Sequence, residues 1–173
     1  MRLGRGVEWG IHCAALLAEL GPGETLSAAA LALKFGLSPS YLLKHLKTLT
    51  RDGILVSVPG PAGGYRLARS AARISLLDIV QAIEGSGPAF RCCEIRQHGP
   101  ERLPPAAYPR PCAINAAMLR AERAWRSALA AESVADIVAR FHAEADPRSV
   151  AASREFLARY RRPQRGRPER ATV

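Results

Sequence analysis

The stretch Ser38-Pro39-Ser40-Tyr41-Leu42-Leu43-Lys44-His45-Leu46-Lys47-Thr48-Leu49-Thr50-Arg51 decides the fold. Leu42, Leu46 and Leu49 fall at i, i+4 and i+7 and make one apolar face of a helix. Pro39 suits the first helical position, where a missing N–H costs nothing, and Ser38 before it offers a capping oxygen. The opposite face carries Ser40, Tyr41, Lys44, Lys47, Thr48 and Arg51, which are donors to phosphates and base edges or stacking groups. Upstream, residues 26–35 have helical composition, and Gly36 closes that helix as a C-terminal cap. Downstream, Gly53 ends the second helix. Ile54, Val56 and Val58 then alternate as a half-buried strand, residues 59–64 turn, and residues 65–68 return as its partner. Helix, turn, helix and β-wing make a winged helix-turn-helix, whose second helix enters the major groove of double-stranded DNA.

A basic helix face alone is also what a solvated surface looks like. The wing separates the two readings. Gly60, Gly63, Gly64 and Arg66 set a glycine-softened tip with a cation beside the same face, within reach of a phosphate or the minor groove. DNA contacts are therefore expected from Ser38, Ser40, Tyr41, Lys44, Lys47, Thr48, Arg51 and Arg66.

The 173 residues suffice for one domain, or one domain with an appended helix. Twenty-five Lys and Arg against fifteen Asp and Glu leave a formal charge of +10, which suits a polyanionic partner. No apolar run approaches the roughly eighteen residues of a membrane span, and Met1-Arg2-Leu3-Gly4-Arg5 leads into no signal-peptide core. A cytoplasmic protein is expected. Its four cysteines then read as metal ligands or redox groups rather than structural disulfides.

Residues 6–20 read as a first helix, with Val7, Ile11, Ala14 and Ala18 as its buried stripe and Leu17 at the edge. Glu8 and His12 stand four apart on another flank, either an ordinary surface pair or two ligands on one side of a helix. Cys13 points about 100° away from His12 and reads as a small apolar residue. Trp9, beside Glu8, either covers a site built there or packs. Residues 75–84 form a helix capped by Ser75 and ended by Gly85, completing a DNA-binding domain over residues 1–84.

Residues 85–111 lose apolar periodicity and hold Cys92 and Cys93, with Cys112 just beyond. A long loop bracketed by cysteines is explained if a metal or a disulfide closes it, so the loop by itself indicates thiol chemistry. Residues 112–132 are a long helix with Ile114, Met118, Ala121, Trp125 and Ala128 at 4-3-4-3 spacing, a seam that either packs within its own subunit or pairs with a second copy as a dimer arm. Cys112 at its start meets the positive end of the helix dipole, which favours a thiolate. A shorter helix completes residues 112–145 as the dimerisation segment. Residues 146–173 bring a further helix over about 150–160 and, from Arg161, a basic tail expected to be disordered and to add nonspecific DNA affinity or solubility. The fold class is mainly α with a small β-wing, a winged helix-turn-helix plus a long dimerisation helix.

Ser38-Pro39-Ser40-Tyr41-Leu42-Leu43-Lys44, Gly63-Gly64-Tyr65-Arg66-Leu67-Ala68-Arg69 and Leu76-Leu77-Asp78-Ile79-Val80-Gln81-Ala82-Ile83 resemble, in combination and order, the iron–sulfur winged-helix repressors of the IscR, NsrR and RsrR type. The resemblance covers about residues 1–140. It implies a homodimeric transcription factor that binds a pseudo-palindromic operator and carries a cluster-sensing loop. The commoner pattern of three spaced loop cysteines is absent, because Cys92 and Cys93 are adjacent and Cys112 is distant. The ligand pattern is closer to the redox-sensing RsrR type, which matches Glu8, His12, Cys92 and Cys112. That similarity implies a [2Fe–2S] cluster at the dimer interface, with the cysteines from one chain and Glu8 and His12 from the other. Four ligands, two per iron, suit such a cluster, and imidazole in place of thiolate raises its potential. Two further sensors of this fold stay open, one reading cluster occupancy (nitric oxide or iron–sulfur status) and one binding zinc or using thiols. An enzyme is not expected, since no nucleophile–base pair or nucleotide loop accompanies the cysteines.

Overall fold

A computed structural model describes residues 3–61, 63–100 and 102–163. Its helices are α1 (Arg5–Ala18), α2 (Ala28–Phe35), α3 (Pro39–Arg51), α4 (Leu76–Glu84), α5 (Ala113–Ala131), α6 (Val134–Glu144) and α7 (Pro147–Tyr160). The strands are β1 (Glu24–Thr25), β2 (Leu55–Val58), β3 (Gly64–Leu67) and β4 (Arg162–Pro163). The architecture is mainly α with a β2–β3 wing, as the sequence indicates.

Local signals explain most boundaries. Gly36 ends α2 in the left-handed region at φ 62°, as its missing Cβ permits. Helix α2 begins later than expected, because Leu26 is not helical. Leu26 exchanges two backbone hydrogen bonds with Tyr65, at 3.1 and 2.7 Å, and is wholly buried. Ser27 is the residue that caps α2, accepting from the Ala30 N–H. Ser38 precedes α3 without a side-chain cap, since its Oγ pairs instead with Ser40 Oγ at 3.1 Å. Helix α4 opens on a reciprocal capping box, with Ser75 Oγ accepting from the Asp78 N–H and Asp78 from the Ser75 N–H.

The core lies between α1, α3 and α4. Leu42, Leu46 and Leu49 are each fully buried, as their spacing predicts. On α1 the buried side is set by Val7, Gly10, Cys13, Ala14, Leu16 and Leu17, while Ile11 and Ala18 are only half-buried. The expected stripe is therefore rotated, because Gly6 and Gly10 let α1 approach His45 and Leu49 of α3 and Ile79 and Ile83 of α4. The wing differs too: Ile54 and Leu55 are both buried, and the strand begins at Leu55 rather than alternating from Ile54. Antiparallel pairing runs Leu55↔Leu67, Val56↔Arg66, Ser57↔Tyr65 and Val58↔Gly64. Gly63 is required in the wing turn, where a Cβ would fall 2.1 Å from the Val58 carbonyl oxygen.

Helix α5 leaves this core. It is tied to the α4 exit by Arg126, whose Nη2 donates to the Ser86 and Gly87 carbonyls at 3.0 Å each, and by Glu122, which accepts from the Ala89 N–H. None of its residues is buried. The connecting segment holds two short 3-10 turns, Ile95–Gln97 and Pro105–Ala107. Helix α6 returns to α1, with Val134 buried and His142 facing Glu19 at 3.2 Å. Of the tail expected from Arg161 onward, Arg162–Pro163 are instead ordered as a strand paired with Glu24–Thr25. The rest of that tail, residues 164–173, lies outside the described residues.

Candidate nucleic-acid interface and metal-ligand pairs

The outward face of α3 is built by the leucines beneath it, whose burial turns the polar side to solvent. Ser40, Tyr41, Lys44, Lys47 and Arg51 are exposed. Lys44 and Lys47 have no hydrogen-bond or ion-pair partner among the described residues. Arg51 is engaged by its neighbour Asp52 at 2.8 Å, and the Thr48 hydroxyl donates to the Lys44 carbonyl. The unengaged cations of this face are thus the two lysines. Arg66 sits back from the wing tip on β3, half-buried, with Nη1 donating to the Leu67 carbonyl at 3.4 Å and Nε enclosed without a partner among the described residues.

Trp9 connects α1 to this face. Its ring meets Tyr41 edge-on at 5.1 Å and His45 at 5.8 Å, and Tyr41 meets His45 at 5.1 Å. Gly6 makes the contact possible, since a Cβ there would fall 2.3 Å from His45 Cε1. Sequence periodicity could not find this cluster, because its members lie on two helices far apart in the chain.

His45 Nε2 is enclosed with no partner among the described residues. Burial, then the Lys44 charge, lowers its imidazole below the ordinary range, against a smaller opposing pull from Glu84. With the folded value below the unfolded one, the unfolded chain binds more protons as pH falls. The stability associated with neutral His45 is complete above the unfolded value of about 6.5 and is lost as pH drops through the folded value. Thermal melts should therefore show a fall in Tm from about pH 7.5 to about pH 5, and His45→Phe should shrink that fall. An identical pH dependence in wild type and variant would exclude His45 as its source.

Glu8 and His12 are exposed and one helical turn apart on α1, and both line a surface cavity of about 420 Å³ with Leu3, Val7 and Ile11. Glu8 has no partner among the described residues, and His12 lies 5.4 Å from the Phe35 ring. Both loop cysteines neighbour the Glu94–Arg96 pair. Cys92 Sγ accepts from the Glu94 N–H at 3.4 Å, while Cys112 feels the charges of both Arg96 and Glu94. The Asn115 N–H, then the Ile114 N–H, hold the Cys112 thiol below its ordinary value, and Arg96 adds to this. That is the thiolate-stabilising first turn expected from the helix dipole. Cys93 is exposed, and Cys13 is fully buried, with its thiol pushed up to about 12.

Within one chain the two pairs stay apart: among the described residues no three His, Cys, Asp or Glu side chains gather as a metal site. Each pair nonetheless offers the right chemistry. One has a carboxylate without a partner among the described residues and an accessible imidazole, the other two thiols, one of them held below its ordinary pKa.

Among the described residues no helix is long and apolar enough to cross a membrane. In sequence, the chain is 34% identical over 139 residues to YffB of Lactococcus lactis, named as an HTH-type transcriptional regulator, covering 79% of this chain and 86% of that protein. It is 37% identical over 78 residues to the HTH-type transcriptional regulator IscR of Xenorhabdus nematophila, spanning 45% of this chain and 46% of the relative. In fold it matches CymR, the global cysteine regulator of B. subtilis, with TM-score 0.64, 21% identity and coverage of 80% of this chain and 97% of that one. T. potens IscR also matches, with TM-score 0.64, 20% identity and coverage of 87% and 96%. The Rrf2 model, described as an iron-dependent transcriptional regulator, matches residues 3–140, and the chain belongs to this family of winged-helix DNA-binding regulators, not to the enzymes.

Proposed function

We propose that this chain is a homodimeric, cytoplasmic, redox-sensing regulator that binds a pseudo-palindromic operator and carries a [2Fe–2S] cluster whose oxidation state sets DNA affinity. The observation that carries the reading is the placement of Trp9. It stands next to Glu8 on the helix that bears the candidate ligands, and its ring packs on Tyr41 and His45 of the recognition helix.

Glu8 and His12 of one subunit, with Cys92 and Cys112 of the other, would hold the cluster. When bound, it supplies a one-electron couple whose potential imidazole ligation raises. The dimer is supported by α5, where Ile114 is 65% exposed and Met118 42%, an apolar seam unsuited to water over a whole helix. Arg96, held to Glu94 and donating to the Arg110 carbonyl, braces the thiol side of the site. On the DNA side, Lys44 and Lys47 meet phosphates, Ser40 and Tyr41 lie at the leading end of α3, and Ser38, Thr48, Arg51 and Arg66 flank them.

Coupling between the two sites needs only a modest difference. A free energy of roughly 1–3 kcal/mol alters affinity about 5- to 150-fold. The test titrates one operator duplex with oxidised and with reduced protein, at equal iron content and fixed salt. A change within that range is expected. Equal affinities, with binding altered only when iron is removed, would make the protein an occupancy sensor. Binding that responds to thiol oxidation in iron-free protein would make the Cys112 thiol the sensor.

A further inference from the structure

We propose that Glu122 and Arg126 of α5 are positioning residues that set the spacing of the operator half-sites, by fixing the angle at which the dimer helix leaves the DNA-binding domain. The proposal rests on the homodimer reading of α5. In such a dimer the two α3 helices stand apart by a distance that the path through α4 and α5 determines, and the half-sites must match it.

Helix α5 has no buried residue to settle its direction, so its polar attachments carry that task. One lies at its end. There the Leu76 N–H donates to the Glu132 carbonyl at 2.9 Å and the Val134 N–H to the Ile74 carbonyl at 2.8 Å, which pins the α5–α6 corner to the start of α4. A single pin is a pivot. The second attachment lies at the other end of α4 and is made by two side chains one helical turn apart. Arg126 Nε donates to Glu122 Oε1 at 2.8 Å, Arg126 Nη2 donates to the Ser86 and Gly87 carbonyls, and Glu122 Oε2 accepts from the Ala89 N–H at 3.1 Å. The Glu122 side chain is 10% exposed and that of Arg126 23%, so little water competes for these bonds. Apolar packing does not replace them, because a cavity of about 210 Å³ lined by Val80, Glu84, Trp125 and Arg126 lies at the joint.

Beyond this pair α5 carries the exposed seam residues Ile114 and Met118 as a lever. Ile114 is eighteen residues from Glu132, about 27 Å along the helix, so a swing of about 10° at the corner displaces it by roughly 5 Å. One base pair is a step of about 3.4 Å. Release of the second attachment is therefore enough to move the half-site spacing by a base pair.

The test uses the full chain as wild type, as Arg126→Met, which keeps the apolar stem and loses the donors, and as Arg126→Lys. A duplex selected from a random pool by the wild type is resynthesised with its spacer shortened and lengthened in single base-pair steps. Affinity for each is measured by fluorescence anisotropy, beside an isolated half-site, sedimentation and thermal melts. Wild type should favour one spacer over its neighbours. In Arg126→Met that preference should narrow about tenfold, the worth of a lost charge-assisted hydrogen bond, with half-site affinity and dimerisation unchanged. Arg126→Lys, a point charge without the planar fork, should fall in between. Equal spacer preference in wild type and both variants would overturn the proposal. So would a drop in half-site affinity as large as that on the preferred duplex, the mark of a general structural effect. Should Arg126→Met fail to fold, Arg126→Lys decides. A wild type that sediments as a monomer, or binds every spacer alike, would overturn the homodimer reading itself, and the proposal with it.

Discussion

Cys112→Ala and Cys92→Ala, purified without oxygen, should each contain almost no iron or sulfide and lack visible absorption, whereas Cys93→Ala should keep most of both. The three thiols differ in surroundings rather than in type. Cys112 occupies the N-cap of α5, where the Asn115 and Ile114 N–H groups and nearby Arg96 favour its thiolate, the form that ligates iron. Cys92 accepts from the Glu94 N–H, which places both thiols around the same Glu94–Arg96 unit. Cys93 is exposed, and the side chains of neighbouring residues diverge. In the proposed site the remaining ligands are Glu8 and His12, so Glu8→Ala and His12→Ala should also reduce iron content. None of these residues belongs to the core, and melting of the iron-free variants should match that of iron-free wild type within about 0.5 kcal/mol. Iron lost only from Cys93→Ala would show that the adjacent thiol is the ligand. Iron retained in all three variants would remove the cluster from the loop.

How much of this was legible in the sequence depends on the distance over which each feature is encoded. The α3 face is local: three leucines at helical spacing fix which side is buried, and a proline and a glycine mark its ends. The start of α4 is equally local, because Ser75 and Asp78 satisfy each other's backbone groups within one turn. Errors arose where a partner distant in sequence competes for a residue. Leu26 reads as helical, but backbone pairing with Tyr65 draws it into the wing. Ser38 reads as a cap, but Ser40 takes its hydroxyl. Arg66 reads as a wing-tip cation from its place beside Gly63 and Gly64, yet the register puts it opposite Val56. Arg162 carries no sequence signal at all, since the Pro61 and Gly63 carbonyls to which it donates lie about a hundred residues upstream. For the candidate ligands, the residue types and the one-turn spacing of Glu8 and His12 could be read directly. The meeting with the cysteines that the proposed site requires could not, because no single chain brings the two pairs together among the described residues.

Lys44→Ala combined with Lys47→Ala should weaken duplex binding about 10- to 100-fold at moderate salt, and should flatten its salt dependence by about 2 in the log–log slope. The two lysines are the cations of the α3 face that no other described residue engages, so their charge is available to phosphates rather than spent within the fold. Arg51 offers the internal comparison. Its guanidinium already holds Asp52, so Arg51→Ala must break that pair before any DNA contact is lost, and its effect should be smaller. The substitutions leave Leu42, Leu46 and Leu49 untouched beneath the face, and solvent-facing changes of this kind alter stability by no more than about 0.5 kcal/mol. Loss of affinity with unchanged Tm therefore reports the interface. Contacts to phosphate carry little sequence information, so operator and mixed-sequence duplexes should weaken alike. A preferential loss on the operator would move one lysine from the backbone to a base edge, where a guanine presents acceptors in the major groove. Affinity and slope both equal to wild type would mean that α3 is not the helix that meets DNA.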